Sequence, residues 1–288
     1  MIPESFRIPL GTWIESGVEW LTDTFEVVFD LIKTVLLALF DAVELVFAGP
    51  PWWLVALVLS GIALWAKGWR LAVGALLGFV LVLGVDQWDN AMATLALVVV
   101  ASTIALAIGV PLGIWAARSD RVSTAVRPVL DFMQTMPAFV YLIPVVVIFL
   151  TGPVPGIVAT IVFALAPGVR FTELGIRQVD REVVEAGHAF GSPPRRILRE
   201  IQVPLAMPTI MAGVNQVIML SLSMVVISGL VGARGLGQPV VSSLGRIDVA
   251  LGFEAGIAVV ILAMYLDRVT AGLSDRSPVA RALRATAA

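Results

Sequence analysis

Apolar residues run along this chain in blocks joined by short polar stretches. The blocks at about 51–66, 71–85, 91–116, 128–150, 155–174, 205–231 and 250–267 read as seven helical spans, since about 20 residues of helix cross roughly 30 Å of hydrocarbon. The first two are short, and Trp52, Trp53, Trp65 and Trp69 stand at their ends as interfacial anchors. Residues 12–48 follow a different pattern. Thr12, Ser16, Glu19, Asp23, Glu26, Asp30, Lys33, Asp41 and Glu44 fall at alternating three- and four-residue steps, broken only by Leu37, and so draw one polar stripe along a helix. Phe25, Val28, Phe29, Ile32, Leu36, Leu39 and Phe40 supply the opposite side. The pattern predicts an amphipathic helix lying in a membrane interface with that side toward lipid. An ordinary packing helix is the plainer alternative.

Lysine and arginine set the orientation. Lys67 and Arg70 share one connection, Arg118, Arg121 and Arg127 the next alternate one, and Arg170, Arg177, Arg181, Arg195, Arg196 and Arg199 a third; Arg268, Arg276, Arg281 and Arg284 mark the tail. With seven spans these regions share one side, which the positive-inside rule makes cytoplasmic. The N-terminus is then outside and the C-terminus inside. The acidic stripe of residues 12–48 belongs outside as well, because anionic lipids favour basic helices on the cytoplasmic leaflet.

Composition narrows the function classes. The 288 residues are 59% hydrophobic and 14% charged, with a mean hydropathy of +0.96, far above what a soluble domain of this length needs. This is the composition of an all-α integral membrane protein. A net charge of −2 with dispersed basic residues gives no sign of nucleic-acid binding. There is no cysteine, which excludes disulfide, thiolate and cysteine-metal chemistry. The start, "MIPESFRIPL", has no long apolar core and reads as an uncleaved end.

The most organised polar stretch is "EAGHAFGSPPRRILREIQVP", residues 185–204, between the fifth and sixth spans. Asp180 is an N-cap with Glu182 in the first turn, and Val183, Ala186, Gly187 and Phe190 lie on one face of a short helix that Gly191 ends in the left-handed conformation. Ser192 is expected to cap a second helix with Pro193 at its first turn, Ile197 and Ile201 as its apolar face and Pro204 closing it. Such a helix-turn-helix offers a partner a close-fitting surface.

These residues resemble the "EAA" loop of ABC-importer permeases: E-A-A, three residues, G, nine residues, I, one residue, L-P. Glu185, Ala186, Gly191, Ile201 and Pro204 occupy matching positions, Gly187 stands for the second alanine and Val203 for the leucine. "GVPLGIWAARS" at 109–119, "DFMQTMPAFVYLIP" at 131–144, residues 202–227, "GLGQ" at 235–238 and "LDR" at 266–268 are similar to the permease subunit of glycine betaine/proline betaine importers of the quaternary-amine group. The resemblance covers roughly residues 50–270 and implies the fold of a type I ABC-importer permease. It also implies the assembly: a second permease copy as a homodimer, two cytoplasmic ABC ATPase subunits that hold ATP and Mg, and an extracytoplasmic substrate-binding protein, in a bacterial inner membrane. On this division, residues 1–49 are an outer segment, 50–270 the permease domain with its coupling loop at 175–204, and 271–288 a cytoplasmic tail.

The remaining chemistry is sparse. No G-x-x-x-x-G-K-[ST] loop is present, so ATP hydrolysis, and with it any cofactor, is expected in a separate subunit. His188, the one histidine, has no nucleophile to serve and points to solvent or a partner. "GARGLG" at 232–237 reads as a tight turn on the outer side. For a translocation path, Asn215, Met219 and Ser223 recur at four-residue steps in the sixth span, and Asp131, Gln134 and Thr135 precede Pro137 and Pro144 in the fourth. Asp131 is equally explained by pairing with Arg127 one turn away. Gly74 with Gly78, and Gly109 with Gly113, are spacings for close helix packing. The alternatives are an ABC permease for amino acids such as methionine and a stand-alone secondary transporter, though Glu173 and Glu254 lie at span ends rather than at mid-membrane.

Overall fold

Lipid offers no partner to a backbone N–H or C=O, so a chain this apolar must satisfy its main chain within helices. In a computed structural model, which describes residues 9–276, the chain is helical and has no strand among those residues. The helices are α1 (Leu10–Thr24), α2 (Glu26–Ala48), α3 (Trp52–Lys67), α4 (Trp69–Gly84), α5 (Trp88–Arg118), α6 (Asp120–Thr135), α7 (Leu142–Phe149), α8 (Pro153–Arg177), α9 (Arg181–Ala189), α10 (Pro194–Ile197), α11 (Val203–Ser228), α12 (Gly237–Arg246) and α13 (Val249–Asp275). Arg281 and Arg284 lie outside the described residues.

Helices α5, α8 and α13, together with a continuous run from Pro194 to Val231, are long and apolar enough to cross a membrane. Helices α3 and α4, at 16 residues each, reach only about 24 Å at 1.5 Å per residue. The segment expected as one span over 128–150 is not straight: α6 and the following short helices are bent by 105°. The cause is local. Met136 precedes Pro137, whose ring pushes it out of the helical region, and Met136 takes φ −70°, ψ 138°. The hydroxyl of Tyr141 donates to the Met133 carbonyl exposed at that break. Pro144, also expected to interrupt, sits in the first turn of α7, where its missing N–H costs nothing.

Helix α8 packs along both α5 and α11, and these three form the centre of the fold. Glycines set the distance. A Cβ on Gly113 of α5 would come within 2.6 Å of the Val169 carbonyl and of Thr172 Cβ on α8, and one on Gly213 of α11 within 2.5 Å of Phe171 Cβ. The buried hydroxyls of Ser102, Thr160, Thr172, Ser221 and Ser228 donate to carbonyls of their own helices, which lets polar side chains sit in the core without cost to the interhelical fit. Helices α3, α4, the start of α5 and α13 share a second cluster around Phe79, Trp88 and Tyr265.

The N-terminal segment departs from expectation. It is two helices, parted at Phe25 (φ −114°, ψ 24°). Leu36 and Phe40, expected to face lipid, are buried with Ala96, Leu97 and Val100 of α5, and Phe29 meets Phe149 edge to face at 5.8 Å. Phe25, Val28, Ile32 and Leu39 keep the exposure assigned to them. The polar stripe also has a partner: Arg234 reaches Asp41 at 2.8 Å and Glu44 at 2.7 Å. Helix α2 therefore packs into the core, and residue 49 is not a packing boundary. The division at residue 270 likewise falls inside α13, which continues to Asp275.

Overpacking a full core costs about 1–3 kcal/mol. Gly113→Ala should lower the thermal midpoint of the purified protein, whereas Gly74→Ala, with nothing within 4 Å of the added carbon, should leave it unchanged. Equal midpoints for the two variants would show that α5 and α8 are not held at glycine distance.

Candidate functional site

The helix-turn-helix after α8 is built much as its residues dictate. Asp180 caps α9, its carboxylate accepting the Glu182 N–H at 2.9 Å. Gly191, at φ +76°, ends α9 in the left-handed conformation that a side chain would strain. The Gly191 and Ser192 amides return to His188 and Gly187 carbonyls at 2.9 and 3.1 Å. The second helix begins one residue later than expected: Pro193, not Ser192, is the cap, no side chain bonds there, and Pro194 takes the first turn.

Pro204 does not close this helix. Residues Pro194–Val231 are one helical run, which passes through a π turn at Leu198–Gln202 and carries Pro204 inside the first turn of α11. The Val203 N–H bonds five residues back to Leu198. That widened turn absorbs the proline, which has no N–H to offer the carbonyl four residues before it. Whatever moves α10 therefore moves α11.

The two short helices are pinned at Gly187, which is buried with its Cα facing Ile197 and Ile201; an added Cβ would meet Ile201 Cδ1 at 3.0 Å and Ile197 Cγ1 at 3.3 Å. Gly187 thus faces inward, while Val183, Ala186 and Phe190, expected on the same face, are exposed together with Glu185 and His188. Phe190 is 89% exposed. Arg195 and Arg196 at the start of α10 are exposed as well, so the loop presents one apolar ring and several charges to its surroundings.

Above the turn sits a charge cluster that sequence reading missed. Glu173 on α8 is buried, and one of its oxygens accepts from Ser123 at 2.7 Å, Arg177 at 3.0 Å and Arg127 at 3.2 Å. Arg177 also holds Asp120 and the Ala116 carbonyl, both at 2.8 Å. The end of α8 is thereby tied to the α5–α6 joint. Arg127, expected beside Asp131, goes to Glu173 instead, and Asp131 pairs with Arg170. The four-residue spacing of Glu173 and Arg177 was the available signal; the cross-helix partners had none.

The path residues are not brought together. Gln134 and Thr135 are exposed at the end of α6, and Ser223 is exposed on α11 with its hydroxyl returned to Met219 at 3.0 Å. Asn215 turns toward α13, donating to Asp267 at 3.0 Å and accepting from Thr270 at 2.5 Å. Met219 is half-buried between them, and Gln216, exposed beside Asn215, is the polar group of α11 that periodicity passed over.

Helical spans packed around α8 and a helix-turn-helix continuous with one of them define the membrane subunit of a type I ABC importer. A chain of the MetNI methionine ABC transporter, solved in inward facing conformations, matches the fold with a TM-score of 0.60 at 21% identity, over 65% of this chain and 94% of that one. The family described as binding-protein-dependent transport system inner membrane component matches residues 109–276, and the chain belongs to it. The glycine betaine/carnitine transport permease protein GbuB of Listeria monocytogenes is 48% identical over 281 residues, covering 96% of this chain and 99% of that protein. ProW of Escherichia coli, a glycine betaine/proline betaine transport system permease protein, is 45% identical over 91% of this chain and 74% of its own length. The glycine betaine transport system permease protein OpuAB of Bacillus subtilis is 45% identical over 92% and 94%.

The packing at Gly187 separates fold from coupling. Gly187→Ala should be tolerated, because the isoleucine ends need give only a few tenths of an ångström, whereas Gly187→Leu should force α9 off α10. ATP-driven uptake by the leucine variant should fall severalfold at normal membrane insertion; unchanged uptake would mean that this contact does not set the loop.

Proposed function

We propose that this chain is the permease subunit of an ATP-driven, receptor-dependent importer of glycine betaine, proline betaine or a related quaternary-amine solute. The names of GbuB, ProW and OpuAB support the solute class, and they match over nearly the whole of this chain. A more distant relative, 38% identical, is named for trimethylamine N-oxide, a solute of similar chemistry. Family membership disfavours a carrier working alone. The likeness to MetNI concerns the fold and leaves methionine without specific support.

The observation that carries the mechanism is the uninterrupted helix from α10 through the π turn into α11. In this reading two permease copies stand on two ATPase subunits, which bind ATP and Mg. Nucleotide-driven closure of the ATPases moves α9 and α10, and α11 transmits the displacement as a lever. Phe190, Val183 and Ala186 form the apolar contact with the ATPase, and Glu185, Arg195 and Arg196 its polar rim. The Glu173 cluster keeps α8 and the α5–α6 joint moving as a unit with the loop. Gln134, Thr135, Met219 and Ser223 are path candidates; Asn215 is better placed to hold α11 to α13. Solute selection belongs to the extracytoplasmic receptor in this reading, where an aromatic cage can hold a quaternary ammonium; Tyr141 and Tyr265 of this chain are both buried in helix packing.

Two measurements test this. Truncating a central, exposed aromatic at an interface costs about 2 kcal/mol or more, so Phe190→Ala should weaken association with the ATPase by at least about tenfold in a pull-down titration and lower betaine uptake in proteoliposomes, with receptor affinity unchanged. Undiminished association would remove this face from the ATPase contact. For orientation, a single cysteine at Ser16 in this cysteine-free chain should react with an impermeant thiol reagent on intact cells, and one at Ser192 only after permeabilisation. Labelling of the Ser192 position from outside would place the loop on the wrong side for an ATPase.

A further inference from the structure

Helices α4 and α13 enclose a groove of about 260 Å³ lined by Leu71, Gly74, Phe79, Ile261, Met264 and Arg268, among others. Two glycines on α4 shape it differently. At Gly78 the helices touch: a Cβ there would come within 2.8 Å of Ile261 Cγ2. One turn nearer the start of α4, at Gly74, nothing lies within 4 Å of a Cβ, and the residue is exposed. The floor is apolar and offers no free hydrogen-bonding group, since the hydroxyl of Tyr265 already donates to the Leu59 carbonyl at 3.0 Å.

One end of the groove is cationic. Arg268 lies in its wall, and Arg70 and Lys67 are exposed where α3 turns into α4. Neither Arg70 nor Lys67 pairs with a carboxylate among the described residues, and Arg268 approaches only its chain neighbour Asp267, at 3.8 Å. Trp65 and Trp69 are exposed at the same end, the position of side chains that sit among lipid headgroups. The cationic residues and these tryptophans thus share the end of the groove from which its apolar floor runs along α4 and α13.

We propose that this groove binds an anionic phospholipid, with one acyl chain along Gly74 between α4 and α13 and the phosphate on Arg268 and Arg70. Its size argues against a helix as occupant, since a helix with its side chains is about 10 Å across. Charge selects the headgroup: a zwitterionic lipid brings its own ammonium toward Arg268 in the groove wall and Arg70 one turn before Gly74 on α4. The orientation argued above bears only on which leaflet supplies the lipid, and binding is read without reference to it.

Native mass spectrometry of the purified permease–ATPase complex, titrated with phosphatidylglycerol or with phosphatidylcholine, tests the assignment. Phosphatidylglycerol should be retained preferentially. Arg70→Gln and Arg268→Gln should each weaken its retention about fivefold and leave phosphatidylcholine unchanged. Gly74→Leu fills the open space and should abolish retention at an unaltered thermal midpoint; if that variant fails to assemble, Gly74→Cys capped with an alkyl maleimide after purification serves the same purpose. Equal retention of both lipids, indifferent to the arginines, would overturn the headgroup assignment. Displacement of the lipid by inorganic phosphate would reduce the site to an anion site, and disulfide cross-linking of Gly74→Cys to a second copy would make it a protein interface; either result would overturn the proposal.

Discussion

The rest of the structure depends on how closely α8 lies against α5 and α11. Between helices in lipid there is little hydrophobic drive, so association rests on van der Waals fit, and fit requires small residues where backbones meet. Gly109 and Gly113 on α5, Gly168 and Gly175 on α8 and Gly213 on α11 supply that fit, each with backbone or side-chain atoms of a neighbouring helix within van der Waals distance of a Cβ position. Buried serines and threonines bond within their own helices, so no interhelical contact has to be spent on satisfying them. The positions of the end of α8 and the start of α11 are thereby set, and the helix-turn-helix hangs from those two points.

That geometry joins the loop to the core at both of its ends. The chain leaves α8 at Arg177, where a buried carboxylate binds two arginines and a serine, and it re-enters through a helix that does not stop. Glu173 is buried while Arg177 is half-buried and Arg127 exposed, so removing its partners would leave a buried carboxylate uncompensated. The π turn at Leu198–Gln202 solves a specific problem: Pro204, two residues past the turn, has no N–H for the Glu200 carbonyl four residues before it and would otherwise end the helix. Helical continuity through Pro204 keeps α10 in line with the body of α11. The break at Met136 has the opposite effect, freeing α7 to turn back toward α8.

Helix α2 shows how charge and packing combine. Its acidic stripe looked solvent- or headgroup-facing, but Arg234, on the connection after α11, reaches across to Asp41 and Glu44 and lies 5.1 Å over the Phe40 ring. The same connection is held from below by Thr94, whose hydroxyl accepts the Leu236 amide at 2.8 Å. The turn expected at "GARGLG" is therefore a clasp between α2, α5 and α11.

Much of this was legible in the chain. Apolar runs located α5, α8, α11 and α13 because a helix in lipid needs length and little else. Asp180, Gly187 and Gly191 announced α9 and its end because caps and left-handed turns have few chemical solutions, and the spacing from Glu185 to Pro204 pointed to an importer permease. Tertiary structure alone decided which side chains meet: Asp131 with Arg170, Arg127 with Glu173, Asn215 with Asp267 and Thr270, and Phe40 with α5 instead of lipid. Periodicity identifies the face of a helix on which a residue lies, but what that face meets is set by helices distant in sequence. The course of Pro204 was decided the same way, since a proline's local preference to end a helix is weaker than the packing that holds α10 and α11 in line.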